Sequence, residues 1–318
     1  RYHHLHWQDG AGCESEDREV PEEAHLLHLA DRLSVLFDPQ QPILKQLKEA
    51  IEKTCACAGS RFVPEHVEAL RELSSVEGFW LHLASPEVEE IICHHPYVAQ
   101  RTLSLEELVE FSGLFSRAVD YRSPYTASHS QGVGAAARAI TGYSGFSERE
   151  RCLVEVAGRL HDIGKLCMPR ELLEKPDTLT ADEETIVREH TYHTYCLLDG
   201  VKNLETVKRW AAYHHERVDG SGYPFHMSGD QLSLGARAVA VADVVTALTE
   251  GRTYRQSLPP HQVRRTLGEM ARNQFLDREL TGILISEYEE IEAALVEAQR
   301  AGSVHYRELA RQFPDMMQ

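Results

Sequence analysis

Seven histidine and aspartate side chains in this sequence could bind metal ions. They are His129, His161, Asp162, His190, His214, His215 and Asp243. His161 and Asp162 are adjacent, so the imidazole can bind one ion while the two carboxylate oxygens bridge that ion to a second. Imidazole and carboxylate ligands suit Fe, Mn, Zn or Ni, and the set lacks the thiolates that are typical of structural zinc sites. The pattern indicates a metallohydrolase centre.

Most of these residues have an ordinary explanation when each is taken alone. A single His129 or His190 is commonly a capped or surface histidine, and histidines at a helix C-terminus interact favourably with its dipole. Asp243 is harder to explain, because it interrupts the apolar run ARAVAVADVVTAL. A carboxylate on a buried face needs a partner or a metal ion. The ordinary explanations fail for the set as a whole.

Helices must position these side chains, because apolar residues recur at i, i+3, i+4 and i+7 along the whole chain. Capping-box pairs predict helix starts at Ser104, Ser147 and Thr180. The second of these helices ends at His161-Asp162, with Gly164 as a stop signal, and residues 233–250 form a helix that carries Asp243. Histidines near the ends of four helices could converge on one cavity of a bundle. The fold class is therefore predicted as all-α.

The bulk composition excludes several classes of function. A formal net charge of −17 disfavours nucleic acid, so a phosphate ligand would need a local positive site. Seven scattered cysteines form no disulfide framework, which favours a reducing cytoplasm. No apolar run approaches the roughly 18 residues of a membrane helix, so no membrane contact is expected in this segment. The chain begins at Arg1 without a signal-peptide pattern, as expected of a piece of a longer product.

An internal repeat relates the N-terminal residues of the sequence to residues 213–248. RYHHLHWQDGAG at residues 1–12 resembles YHHERVDGSG at residues 213–222, and HLADRLSVL around Asp31 resembles VADVVTAL around Asp243. The first copy has no HD dipeptide and no Tyr-Pro after its glycines. A ligand set this incomplete should not hold two metals, so we predict a structural role for it. We expect it to pack within the chain, although a homodimer is possible.

Two motifs carry a family resemblance. HDIGK, from His161 to Lys165, and HHERVDGSGYP, from His214 to Pro224, resemble the HD-GYP family, which comprises bacterial metal-dependent phosphodiesterases of the HD superfamily. The match covers about residues 102–290. It implies a helical bundle with a binuclear metal site, preceded here by a smaller helical half-domain. The expected division is 1–100 for the half-domain, 101–290 for the HD-GYP domain and 291–318 for a solvated C-terminal helix.

The resemblance also implies two ligand sets, with two divalent ions that are usually iron or manganese. One set is His129, His161, Asp162 and Asp243. The other is Asp162, His190, His214 and His215. Asp162 would bridge the two ions and is the expected catalytic residue.

The resemblance implies a signalling substrate, cyclic di-GMP, which is opened to linear pGpG with GMP as a minor product. Lys165, Arg252 and Arg255 would contact phosphate oxygens, with Lys165 assisting catalysis. In the glycine-rich loop, Gly222 permits close approach of the backbone and Tyr223 offers a stacking face and a hydroxyl.

Three positions depart from the family pattern, one of which is Thr191 in place of the proline that usually follows the third-helix histidine. Some members carry a glutamate four residues before the first histidine as part of a third metal site, but this sequence has Tyr125 there. We therefore expect two ions, with cleavage stopping mainly at pGpG. Thr246 stands where the family has a second aspartate, which places support or guanine contacts in doubt without removing a ligand.

Three other functions remain open at this point. The substrate could be another cyclic dinucleotide, such as cyclic GMP-AMP, or a simpler nucleotide of the wider superfamily. Alternatively, the chain could be a receptor that binds a cyclic dinucleotide without cleaving it. The complete ligand set favours an enzyme over a receptor.

Overall fold

Helices form the regular structure in the described part of the chain. The computed structural model describes residues 21–86, 88, 102–120, 128–173, 175, 178–250 and 257–312. Across these ranges the only strand-like feature is an isolated bridge between Ala58 and Phe62. The prediction of an all-α fold is confirmed. The chain divides into two units, Arg1–Arg101 and Thr102–Gln318.

The described helices of the first unit enclose a small core of their own. They are α1 (Glu22–Ser34), α2 (Ile43–Cys55), α3 (Pro64–Ser74) and α4 (Glu77–Leu83). The core contains Leu29, Leu47, Ile51, Phe62, Val67, Leu70 and Trp80. The indole N–H of Trp80 donates to the carbonyl of Leu73 at 2.9 Å, which satisfies the one polar atom of this buried ring.

Asp31, the counterpart of Asp243 in the predicted repeat, lies at the surface of the first unit. Its side chain is 42% exposed and forms an ion pair with Arg32 at 2.5 Å. The aspartate of the first copy is therefore in a solvated environment and already has a cationic partner. The relation between the two copies stays a prediction, since His3 and His4 lie outside the described residues.

The second unit contains the remaining helices of the described chain. They are α5 (Leu105–Asp120), α6 (His129–Gly142), α7 (Glu148–Leu160), α8 (Arg170–Leu173), α9 (Ala181–Asp199), α10 (Glu205–Ala212), α11 (Leu234–Thr249), α12 (Pro260–Arg272), α13 (Arg278–Ser286) and α14 (Tyr288–Gln312). A short 3₁₀ helix, Ile163–Cys167, follows α7.

Local hydrogen bonds explain where three of these helices begin. The hydroxyl of Ser147 accepts from the N–H of Glu150, whose carboxylate accepts from the N–H of Ser147 in return. The same reciprocal bonds are present at Ser104 and Thr180, which precede α5 and α9. All three predicted capping boxes are confirmed. Each satisfies two backbone donors that the first turn leaves without a partner.

Helix α11 lies at the centre of the second unit. Ala238, Val241 and Ala242 are fully buried, and the helix contacts α6, α7, α10 and α12. Small residues on all sides let these neighbours pack closely around it. Asp243 lies in the middle of this apolar helix, as predicted, with a side chain that is 13% exposed. The core therefore surrounds a carboxylate that has to be stabilised from other helices.

The C-terminal helix α14 buries one of its faces. Tyr288, Ile291 and Leu295 belong to the core of the second unit, and the helix lies against α6. The predicted solvation therefore applies only to its charged face, which includes Glu289 and Glu297. Among the described residues, no helix combines the length and the apolar character needed to span a bilayer.

Candidate metal centre

The seven predicted ligands converge on one region of the second unit. They occupy the start of α6 (His129), the end of α7 (His161 and Asp162), the middle of α9 (His190), the turn after α10 (His214 and His215) and the middle of α11 (Asp243). Their nitrogen and oxygen atoms form three overlapping groups, in each of which the atoms lie within 4.8 Å of one another. Residues separated by more than a hundred positions in sequence thus share one site.

The first part of the centre, called here the His129 half, consists of His129, His161 and Asp243. Nε2 of His129 lies 3.1 Å from Oδ1 of Asp243, and Nε2 of His161 lies 3.8 Å from the same oxygen. On its other side, Nδ1 of His129 donates to Oε2 of Glu250 at 2.9 Å. His129 therefore lies between two carboxylates.

The second part, called here the His190 half, consists of His190, His214 and His215. Nδ1 of His190 donates to the carbonyl of Val187 at 2.5 Å, and Nδ1 of His214 donates to the carbonyl of Ala211 at 2.7 Å. A neutral imidazole has only one N–H, so both Nε2 atoms carry a lone pair. The backbone thereby selects the tautomer in which Nε2 can bind a metal.

The two lone pairs of the His190 half face each other. Nε2 of His190 lies 3.3 Å from Nε2 of His214. Burial lowers the pKa of His190 to about 3, and burial together with His215 lowers the pKa of His214 well below its usual value. A proton therefore does not fill the gap at neutral pH, and two acceptors at this distance repel each other. A cation between them satisfies both, so these residues fit a metal ion.

Asp162 lies between the two halves. Its Oδ2 is 3.2 Å from Nε2 of His161, whereas its Oδ1 is 3.4 Å from Nε2 of His190 and 4.0 Å from Nε2 of His214. The two oxygens thus face different histidines, which is the geometry that a bridging carboxylate needs. Nζ of Lys165 lies 2.5 Å from Oδ2, so this lysine borders the centre.

Burial and charge act in opposite directions on the two halves. Burial alone would lower the pKa of His129, but the carboxylate of Glu250 outweighs it and holds that pKa well above its usual value. The carboxylate of Asp162 raises the pKa of His161 in the same way. In contrast, burial lowers the pKa of His215. Carboxylates therefore favour the protonated form of the histidines in the His129 half, and burial favours the neutral form in the His190 half.

Gly164 fixes the approach of α9 to the turn after His161. A Cβ at this position would lie 2.0 Å from the carbonyl oxygen of His190. The hydroxyl of Thr194 donates to the carbonyl of His161 at 2.9 Å and accepts from the N–H of Gly164 at 3.0 Å. Gly164 lies inside the 3₁₀ helix without the left-handed φ that its predicted role as a stop signal implies. That role is wrong, and close backbone packing explains the glycine.

Glu216 holds the loop that carries Tyr223. Its buried carboxylate accepts from the N–H of Phe225 at 2.7 Å and from the N–H of Met227 at 3.0 Å. The ring of Tyr223 lies 5.0 Å from the ring of His215, measured between centroids. The loop therefore presents Tyr223 at the edge of the centre.

Gly222 and Asp219 shape the same loop. A Cβ at Gly222 would lie 2.4 Å from the backbone nitrogen of Arg217, so the loop needs a glycine for its own packing. Oδ1 of Asp219 accepts from the N–H of Ser221 at 2.9 Å, so this aspartate fixes the turn through a local hydrogen bond. Contact of Gly222 with a substrate stays a prediction.

Three positions named in the sequence analysis have no described structure. Arg252, Arg255 and Tyr125 lie outside the described residues. Thr246, in contrast, is fully buried and its hydroxyl donates to the carbonyl of Ala242 at 2.7 Å. Thr246 is thus satisfied by its own helix.

Sequence reasoning missed two carboxylates near the centre, Glu216 and Glu250. Glu216 directly follows the paired histidines in HHE. Glu250 comes seven residues after Asp243, and residues two helical turns apart lie on the same face of a helix. That spacing would have identified it.

The helical bundle and its group of imidazole and carboxylate donors define a class of α-helical metal-binding proteins. Within that class, the model of the HD domain family matches residues 113–280, which is more than half of the chain. The chain belongs to the HD domain family, and its HDIGK and HHERVDGSGYP motifs place it in the HD-GYP group.

Two curated relatives and one solved structure illustrate the similarity. The chain is 32% identical over 271 residues to the 3'3'-cGAMP-specific phosphodiesterase 1 of Vibrio cholerae, covering 82% of this chain and 62% of that protein. It is 37% identical over 174 residues to the cyclic di-GMP phosphodiesterase response regulator RpfG of Xanthomonas campestris, covering 50% of this chain and 46% of that protein.

The structural similarity covers more of this chain. A crystal structure of a cyclic GMP-AMP-specific phosphodiesterase of V. cholerae, V-cGAP3, matches with a TM-score of 0.56 and 27% identity, over 92% of this chain and 65% of that one. The chain thus spans about half to two thirds of the length of these three proteins.

Proposed function

We propose that this chain is a metal-dependent phosphodiesterase that hydrolyses a cyclic dinucleotide. The observation that carries the proposal is the pair of facing Nε2 atoms of His190 and His214, 3.3 Å apart, beside a carboxylate directed towards both halves. Relatives named as phosphodiesterases for cyclic di-GMP and cGAMP support it from the sequence.

Two divalent cations, iron or manganese as the family resemblance implies, would be held by the predicted ligand sets. One set is His129, His161, Asp162 and Asp243, and the other is Asp162, His190, His214 and His215. When bound, such a pair supplies a water nucleophile of lowered pKa and neutralises phosphate oxygens. Two of the groups of atoms within 4.8 Å each fall inside one set, and the third joins Asp162 to a histidine of each set, which agrees with a shared role for Asp162.

Residues at the edge of the centre would bind and orient the substrate. Lys165 places a partly buried ammonium beside Asp162, which gives a phosphate a local positive charge in a protein of net charge −17. Burial raises the pKa of the Tyr223 hydroxyl, which keeps it protonated as a hydrogen-bond donor. Arg252 and Arg255 remain predicted phosphate contacts.

Cyclic di-GMP, opened to linear pGpG, is the first candidate substrate. The relatives named for cyclic di-GMP include matches at 37% and 41% identity. Cyclic GMP-AMP is the second candidate, because the relative that is matched over 82% of this chain is named for 3'3'-cGAMP. With Tyr125 in place of the glutamate of a third metal site, we expect two ions and little further cleavage to GMP.

The decisive experiment compares both substrates with one enzyme preparation. Protein purified without oxygen and loaded with Fe or Mn is incubated with cyclic di-GMP and, separately, with cyclic GMP-AMP, and the products are resolved by chromatography. We expect linear dinucleotide from the preferred substrate and two metal ions per chain. Three ions per chain, or GMP as the main product, would contradict the two-metal prediction.

A matched pair of histidine variants separates catalysis from binding. His190→Ala removes a candidate ligand and should abolish turnover. His193→Ala removes an imidazole on the same helix, outside the centre, whose Nε2 lies 3.8 Å from Glu189. This control variant should retain turnover. Tight binding of a cyclic dinucleotide without turnover by the metal-loaded native chain would support the receptor function and overturn the enzyme.

A further inference from the structure

A chain of hydrogen bonds runs from the C-terminal helix to His129. Nε2 of Gln299, on α14, donates to Oε1 of Glu250 at 2.7 Å. The other oxygen of Glu250 accepts from Nδ1 of His129 at 2.9 Å, and the glutamate side chain is only 11% exposed. The opposite nitrogen of the imidazole is the one that faces Asp243.

We propose that Glu250 and Gln299 are positioning residues for His129, so that the C-terminal helix sets the metal affinity of the His129 half. This inference rests on the metal centre of the proposed function. It gives a role to a helix that lies beyond the region matched by the HD domain model, which ends at residue 280.

The need for Glu250 follows from the place of His129 in its helix. His161, His190 and His214 each donate from Nδ1 to the carbonyl three residues earlier. His129 is the first residue of α6, so no preceding turn of its own helix offers that carbonyl. A carboxylate from α11 takes its place, and a charged acceptor both fixes the ring and strengthens it as a ligand.

The glutamate is itself held in place by α14. A carboxylate can only accept hydrogen bonds, so its contact with Gln299 defines which end of the amide faces it. Helices α6 and α14 approach closely here, since a Cβ at Gly132 would lie 2.9 Å from Cγ of Gln299. The absence of a side chain at Gly132 therefore leaves the space that Gln299 occupies.

Metal affinity, measured without substrate, tests this link. The full chain is stripped of metal and titrated with Mn²⁺ alone, and free Mn²⁺ is followed by electron paramagnetic resonance. We expect Glu250→Gln to lower the affinity for one of the two ions about 10- to 100-fold and to leave the affinity for the other unchanged. This is the range for losing an outer partner of a metal-bound histidine. Gln299→Ala should weaken the same ion by a smaller factor.

Two further comparisons make the test specific. The double variant should resemble Glu250→Gln alone, because both residues act through the same histidine. Gly132→Ala should weaken the same ion by displacing Gln299, whereas Gly282→Ala, whose added Cβ meets no atom within 4 Å, should not. Glu297→Gln, which neutralises an exposed carboxylate on α14, should also bind both ions normally.

Each outcome decides a different question. Two ions with unchanged affinities in Glu250→Gln, or equal weakening of both, would overturn the inference alone. A native chain that binds no Mn²⁺ would overturn the proposed function together with it. If Glu250→Gln fails to fold, Gln299→Ala decides, because it removes no charge from the centre, and unchanged affinities in that folded variant would overturn the inference.

Discussion

The two halves of the candidate metal centre differ in how His129 and His190 are held. In the His190 half, the backbone carbonyls of Val187 and Ala211 accept the Nδ1 protons of His190 and His214. In the His129 half, the partner of His129 is the carboxylate of Glu250, which comes from a different helix. His190 and His214 are therefore oriented within a single helical turn, as is His161 in the other half, whereas His129 depends on the packing of the bundle.

The same contrast governs charge. Carboxylates keep the pKa of His129 and His161 above the ordinary value, whereas burial lowers it for all three histidines of the His190 half. The carboxylates of the His129 half should attract a cation more strongly, but the cation must displace protons there. Two sites built from the same ligand types can therefore differ in affinity and in pH dependence.

Replacement of the shared residue should have the largest effect. Asp162→Ala removes the carboxylate that faces both halves, so we expect both ions to be lost and turnover to fall about 10⁴-fold or more, because metal activation supplies several kcal/mol. Metal content and product formation measure this, with circular dichroism to verify the fold. An Asp162→Ala protein that keeps one ion at native affinity would show that the halves are independent.

Replacing one ligand in each half should reveal their difference. Asp243→Asn and His190→Ala should each weaken one Mn²⁺ ion more than about 100-fold, beyond the loss of an outer partner. We expect the larger loss for Asp243→Asn, since it also removes a negative charge from beside His129. Titration of the metal-free variants provides the measurement, and equal losses would remove the electrostatic distinction between the halves.

The pH dependence should separate the halves by a smaller factor. Because the pKa values of His129 and His161 are raised, Mn²⁺ affinity in that half should increase with pH, by up to about tenfold per unit for each proton displaced. The His190 half should change little above pH 6, since the pKa of His190 is already about 3. Titrations at pH 6, 7 and 8 test this, and equal slopes would contradict it.

The sign of the linked stability follows from the same shifts. Because the pKa of His129 is raised in the metal-free fold, protonation of His129 stabilises that fold. The stabilisation is fully present at pH values below the ordinary histidine pKa, and it is lost as pH rises through the raised pKa.

The smallest expected effect is in the loop beside the His190 half. Glu216→Gln loses one acceptor for two backbone N–H groups, so we expect about 1–3 kcal/mol less stability and a turnover that falls a few-fold. Thermal unfolding and steady-state kinetics measure this, with Asp230→Asn, an exposed change nearby, as the control. Unaltered unfolding of Glu216→Gln would show that the loop is held by other contacts.

The sequence predicted those features that depend on short segments or on residue type. The capping boxes at Ser104, Ser147 and Thr180 were readable because both partners lie within four residues. The candidate ligands were found because imidazoles and carboxylates are rarely placed on apolar helices without a reason.

Other features depend on tertiary packing and could not be read from the sequence. Glu250 is 121 positions from His129 and 49 from Gln299, so their contacts exist only in the folded bundle. Glycine commonly ends helices, so Gly164 was predicted to be a helix end. Its actual role, a close contact between two backbones, is less common and depends on tertiary packing. The residue types in the sequence identified the candidate ligands, but no short segment of the sequence determines the distances between helices.

The contact at Gly164 also limits how α9 can move against the turn after His161. Backbone meets backbone there, with a hypothetical Cβ only 2.0 Å from the carbonyl oxygen of His190, and the hydroxyl of Thr194 bonds across the contact to His161 and Gly164. These two elements are therefore already as close as their backbones allow. A change in the radius of a bound ion would therefore have to be taken up by side chains or by other elements of the candidate centre, and not by a closer approach at Gly164.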